Sequence, residues 1–151
     1  MKIAKTLLIT FAAGLLWSVA RAGDSALTAP VKSVYDHYLK IHASLAGDSM
    51  AGVAENAEAI AQAVRADANA LPSETGAEAE AVAKAADLAA AREAFKPLSD
   101  SLIHYLANHK AKGGYVQFYC SMARASWLQA DKNVRNPYLG KEMSGCGEIQ
   151  N

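Results

Sequence analysis

The chain has 151 residues, 52% of them hydrophobic and 20% charged, with 15 basic side chains against 15 acidic. That length suits one domain built on a single hydrophobic core. The even charge balance, with no basic patch, argues against a nucleic-acid or anionic-membrane surface.

The first residues read as a secretory leader. Lys2 and Lys5 charge the start, an apolar run follows from Thr6 to Ala20, and Ala20-Arg21-Ala22 ends it with small residues at the two positions a signal peptidase reads. The run is too short for the roughly 20 apolar residues that cross a bilayer. We therefore expect a signal peptide over residues 1–22 and a periplasmic mature domain over residues 23–151. Without the leader the chain keeps 12 basic and 15 acidic residues, and no later run is apolar enough to span a membrane.

Helical spacing dominates the next stretch. Val31, Val34, Tyr35, Tyr38, Ile41, His42 and Leu45 recur three or four apart, with Thr28 placed to cap and Pro30 tolerated in the first turn. Gly47-Asp48 reads as a stop followed by a new cap. Met50, Val53, Ala57, Ile60, Ala61, Val64, Ala68 and Leu71 form a second helical face, broken at Leu71-Pro72-Ser73. Thr75 and Glu78 have capping-box spacing ahead of an alanine-rich helix. Leu88, Ala91, Phe95, Leu98, Leu102 and Tyr105 make a further seam, inside which Pro97 should kink or restart the helix. Gly113-Gly114 ends the helical part. The expected fold is all-α: an up-and-down bundle of three to four helices with an irregular, partly extended C-terminal segment over residues 115–151.

In that segment Tyr115 to Cys120 is rich in β-formers, and Asn136-Pro137-Tyr138 with Gly140 is turn chemistry. Its sulfur atoms draw attention. Cys120 and Met122 lie two apart, which puts both on one face of an extended strand; Met143 and Cys146 lie three apart, neighbours in a helical turn. Together they would offer a thiolate and thioether set that selects Cu(I), with Ag(I) accepted for the same reason. The plainer reading is a Cys120–Cys146 disulfide, the default for two cysteines in an oxidising compartment, with both methionines as core fillers. The two states can also alternate, a thiol pair binding metal when reduced. His42 or His104 is a candidate for an added nitrogen ligand, although neither the His37/His42 nor the His104/His109 pair has clamp spacing. Trp127 is expected to pack the tail onto the bundle, and Arg92 and Arg135 to form ion pairs or bind carbonyls.

No Ser/His/Asp order, no H-E-x-x-H and no C-x-x-C is present, so an enzyme is not expected, nor is covalent haem. Two non-catalytic readings stand: a soft-metal protein of metal handling or efflux, with Cys120, Met122, Met143 and Cys146 as ligands, and a disulfide-stapled module that docks on another envelope protein through Tyr115 to Tyr138.

Val34-Tyr35-Asp36-His37-Tyr38-Leu39, Ala91-Arg92-Glu93-Ala94-Phe95-Lys96-Pro97-Leu98-Ser99 and the tail's Tyr119-Cys120-Ser121-Met122-Ala123, Trp127-Leu128-Gln129, Arg135-Asn136-Pro137-Tyr138, Gly140-Lys141, Met143 and Cys146-Gly147 resemble one family, a periplasmic domain of unknown function of the DUF 3347 type. The resemblance covers essentially the whole mature chain. It implies a helical fold with an irregular C-terminal segment and, because such domains also occur fused to the periplasmic adaptors of copper and silver efflux pumps, a role with Cu(I) or other heavy metals and an efflux adaptor as a partner. The family's Cys-Pro-Met falls on Cys120 and Met122, with Ser121 in place of the proline. Tyr119 stands where relatives sometimes carry histidine.

Overall fold

The structure, a computed structural model, describes residues 27–111 and 114–150. The leader expected over residues 1–22 lies outside them. Four helices come first: α1 (Ala29–Ala46), α2 (Val53–Ala66), α3 (Ser73–Ala83) and α4 (Leu88–Asn108). Three short strands follow, β1 (Val116–Cys120), β2 (Ala125–Gln129) and β3 (Glu148–Ile149), with a 3-10 turn at Gly140–Met143 before the last.

The apolar spacing sets the helices. All seven positions expected to face inward on α1 are buried there. α2 packs against α1 and α3, and α3 against α4, so neighbours in sequence are neighbours in space. The central contacts are aromatic: Tyr38 stacks on Phe95 with centroids 4.8 Å apart, and its hydroxyl meets Ser99 Oγ at 2.8 Å. Among the described residues no helix is long and apolar enough to cross a membrane.

Local details depart from the reading of the sequence. Pro97 lies inside α4 without ending it; the ring is on the exposed side, so water can satisfy the carbonyl that loses its helical partner. Thr75 does not cap: α3 already starts at Ser73, and Thr75 is fully buried within it. The cap instead appears at α4, where Asp87 accepts from Ala90 N–H at 2.8 Å. Asp48 caps nothing either, because α2 begins after Gly52.

The largest correction concerns the tail. The fold is not all-α, since the segment after α4 forms a three-stranded antiparallel sheet in the order β2-β1-β3. β1 and β2 form a hairpin whose turn needs Arg124 at φ +51°, and β3 pairs on the other side of β1 through Phe118↔Ile149 and Tyr119↔Glu148. The inner face of the sheet packs on α4. Phe118 stacks on Trp127 with centroids 5.4 Å apart, and Trp127 meets the edge of Tyr138. Trp127 therefore joins the tail to the core as expected, fully buried.

Candidate functional site

β-strand alternation decides which way the β1 side chains face. Phe118 and Cys120 point inward and are buried, while Tyr119 between them is 39% exposed. Cys120 ends the strand, and the amide of Ala123, in the hairpin turn, donates to its Sγ at 3.4 Å.

The second arm is held by one buried amide. Asn136, fully buried, accepts on Oδ1 from Tyr138 N–H at 2.8 Å and Leu139 N–H at 2.9 Å. Its Nδ2 donates to the Cys146 carbonyl at 2.7 Å, and its backbone N–H to the Ser144 carbonyl at 3.0 Å. One side chain thus folds the Pro137–Gly140 turn and draws the Cys146 segment beside it. Three helix-side groups fix this arm to the bundle. His42 Nε2 contacts the Arg135 carbonyl at 2.8 Å, Arg92 Nε donates to the Pro137 carbonyl at 2.9 Å, and Asp48 Oδ2 accepts from Lys141 N–H at 3.2 Å. Burial pushes the His42 imidazole down to about 4, so at neutral pH it is uncharged and its Nε2 donates to that carbonyl. This bond engages Nε2, one of the two ring nitrogens His42 could offer a metal. His104 is exposed on α4, not at a buried seam.

The two arms meet. Cys120 and Cys146, 26 positions apart, form a disulfide with a Cα separation of 5.7 Å. Cys120 is 1% exposed and Cys146 half-buried. A small cleft of about 120 Å³ opens onto the bridge, lined by Tyr119, Cys120, Ser121, Cys146, Gly147 and Glu148. Met122 and Met143 lie at the surface, 61% and 38% exposed, rather than in the core. Met122 sits in the hairpin turn two residues after Cys120, and the Met143 carbonyl accepts from Cys146 N–H at 3.0 Å. Neither methionine lines the cleft.

As a disulfide the two cysteines offer no thiolate, so the oxidised bridge does not fit a Cu(I) ligand set. Among the described residues no group of three or more His, Cys, Asp or Glu side chains could hold a metal. The residue that sequence reasoning missed is Asn136: its turn was visible, but its grip on Ser144 and Cys146 depends on chain that returns from eight and ten residues later.

The family described as "Protein of unknown function (DUF3347)" matches residues 34–114. The match runs from within α1 through α4 and stops before β1, a narrower span than the whole-chain resemblance expected from the motifs. No curated protein and no solved structure matches the chain.

Proposed function

The chain belongs to the DUF3347 family, and from that premise we propose that it is an exported, non-catalytic domain on an up-and-down helical bundle. In this reading it takes up Cu(I) or Ag(I) through Cys120, Met122, Met143 and Cys146 once the Cys120–Cys146 bridge is reduced. The observation that carries the proposal is the meeting of two cysteine–methionine arms, 26 residues apart in sequence and 5.7 Å apart at the cysteine Cα atoms, with both methionines exposed nearby in the chain. Reduction takes two electrons and two protons from an external dithiol and turns an inert bridge into two soft donors. Cu(I) and Ag(I) prefer thiolate and thioether ligands to the oxygen donors elsewhere on this surface. An efflux adaptor is the partner such a carrier would serve in the periplasm.

The test is a Cu(I) titration of the reduced mature protein against a competing chelator. Cys120→Ser with Cys146→Ser should abolish competition; a double variant that binds as tightly as the parent would end this reading.

The disulfide favours a second reading, in which the bridge is permanent and the domain docks on another envelope protein through Tyr115 to Tyr138. Tyr119, Met122, Met143 and Ile149 are the exposed large apolar side chains among the described residues, and all lie in the tail. Thiol counting on freshly isolated, unreduced protein separates the two. Free thiols support the metal site, and complete oxidation supports the staple.

A further inference from the structure

A disulfide offers an incoming thiolate two sulfurs, and the choice depends on access to each and on how well the departing thiolate is stabilised. The two ends of this bridge differ on both counts. Cys120 is 1% exposed, at the end of a strand that is the centre of its sheet. Its Sγ already accepts a hydrogen bond from Ala123 N–H at 3.4 Å, a donor that stabilises negative charge on sulfur. Cys146 is half-buried on the returning arm. It is flanked by Gly145, where an added Cβ would meet nothing within 4 Å, so the backbone on that side is open. The cleft lined by Tyr119, Cys120, Ser121, Cys146, Gly147 and Glu148 reaches the bridge from outside, so the difference in burial decides which sulfur it offers first.

We propose that the bridge is opened from the Cys146 side, with Cys120 as the leaving thiolate. A thiolate of an external dithiol attacks Cys146 Sγ, a new S–S bond forms there, and the Cys120–Cys146 bond breaks with its electron pair passing to Cys120 Sγ beside Ala123 N–H. The second thiolate of the reductant then attacks its own sulfur in the mixed disulfide and releases Cys146 as thiolate. The reductant leaves as a disulfide, the protein has gained two electrons, and a proton from each reductant thiol is passed to the two cysteines. Cys146, the less buried end of the bridge, is then the point of exchange. This rests on the reading that the bridge opens in use, but not on which metal follows.

The experiment uses the oxidised mature protein and limiting 2-mercaptoethanol, a monothiol with no second sulfur to resolve the mixed disulfide within one molecule, so that a brief exposure marks the attacked sulfur. A brief native exposure is quenched with acid, freed thiols are capped with N-ethylmaleimide, and peptides are mapped by mass. The expected result is the mercaptoethanol adduct on Cys146 with maleimide on Cys120, in about tenfold or greater excess over the reverse labelling. Equal labelling, or the adduct mainly on Cys120, overturns the proposal. So does a bridge that opens only after denaturation. An adduct on Cys146 in a protein that fails the Cu(I) titration keeps this inference and removes the metal site; Cu(I) binding with the adduct on Cys120 does the reverse.

Discussion

Arg92 and Asp48 meet at 2.5 Å, joining the start of α4 to the turn that follows α1. The same guanidinium donates to the Leu45 carbonyl at 2.8 Å and to the Pro137 carbonyl at 2.9 Å, so one side chain ties two helices to the tail. Its side chain is 17% exposed, which limits the water available to replace those bonds. Arg92→Ala should cost about 2–4 kcal/mol, because it leaves two carbonyls short of a donor. Arg92→Lys should recover only part of this, since an ammonium's donors radiate from one nitrogen and cannot span acceptors that the guanidinium reaches from Nε and Nη2. Urea unfolding followed by Trp127 fluorescence measures both, and an alanine variant within about 0.5 kcal/mol of the parent would show that the clasp contributes little.

Gly140 makes room for that clasp. Its φ is +59°, and a Cβ there would run into Asp48 Oδ1 and Arg92 Nη2. Gly140→Ala should therefore destabilise by about 2 kcal/mol or more, combining backbone strain with displacement of the ion pair. The two costs share partners, so Gly140→Ala in an Arg92→Ala background should cost less than it does alone. Additive losses in a double-mutant cycle would separate the glycine from the clasp.

How much of this was readable in the sequence follows from how local each feature is. The inward face of α1 was legible residue by residue, because helical periodicity is a property of the chain itself and every expected position is buried. Arg92 was legible as a carbonyl-binding or ion-pairing residue but not its partners, which lie 44 to 47 positions away. The sheet was not legible beyond β1. Its third strand is two residues long and exposed, and it exists through pairing with β1 rather than through its own propensity. The four candidate ligands were a mixed case. Convergence of the two cysteines followed from either reading of them, whereas the methionines, read in one alternative as core, are at the surface.

The His42 contact gives the domain a pH response. Its folded value is about 4 against the ordinary 6.5, chiefly from burial and also from the Arg135 charge, with the Arg135 carbonyl and Asp131 acting in the opposite sense. The unfolded chain binds a proton below about pH 6.5 that the folded protein refuses until about pH 4, so stability falls as the pH drops through that window. The full loss is about 3 kcal/mol. Burial pushes the carboxyls of Glu78 and Asp100 upward, which favours the folded state on acidification, while hydrogen bonds from Arg92, Lys84 and Arg135 hold Asp48, Glu80 and Asp131 down and act in the same sense as His42. The readout is therefore a difference between proteins. His42→Gln keeps a donor for the Arg135 carbonyl and cannot charge, so the stability of the parent relative to this variant should decline from pH 7 to pH 4.5. A pH-independent difference would mean that His42 does not resist protonation in the fold.

The disulfide closes a loop across 26 positions, which in the chain-entropy model stabilises by about 3–4 kcal/mol. Cys120→Ala with Cys146→Ala should lower the unfolding free energy by about that amount while leaving far-UV helical signal nearly intact. Tyr35, Tyr38, Ile60, Phe95 and Leu102 all come from the helices and stay packed on one another, although they share one core with Phe118, Cys120 and Trp127. Loss of helical signal in the double variant would show instead that the tail sheet is required for the bundle to form.

Met122 and Met143 separate a true metal site from a pair of reactive thiols. Both are exposed, at 61% and 38%, so replacing either with leucine removes a thioether while changing stability by no more than about 0.5 kcal/mol. If their sulfurs ligate, Met122→Leu and Met143→Leu should each weaken Cu(I) binding by the reduced protein about tenfold, because leucine keeps the size and loses the soft donor. Zn(II) supplies the internal control. It takes thiolate, imidazole and carboxylate rather than thioether, so any Zn(II) bound by the reduced thiols should be indifferent to both substitutions. Cu(I) affinities unchanged in both variants would reduce the site to two thiolates, and the exposed methionines would then belong to the apolar surface of the tail that also carries Tyr119 and Ile149.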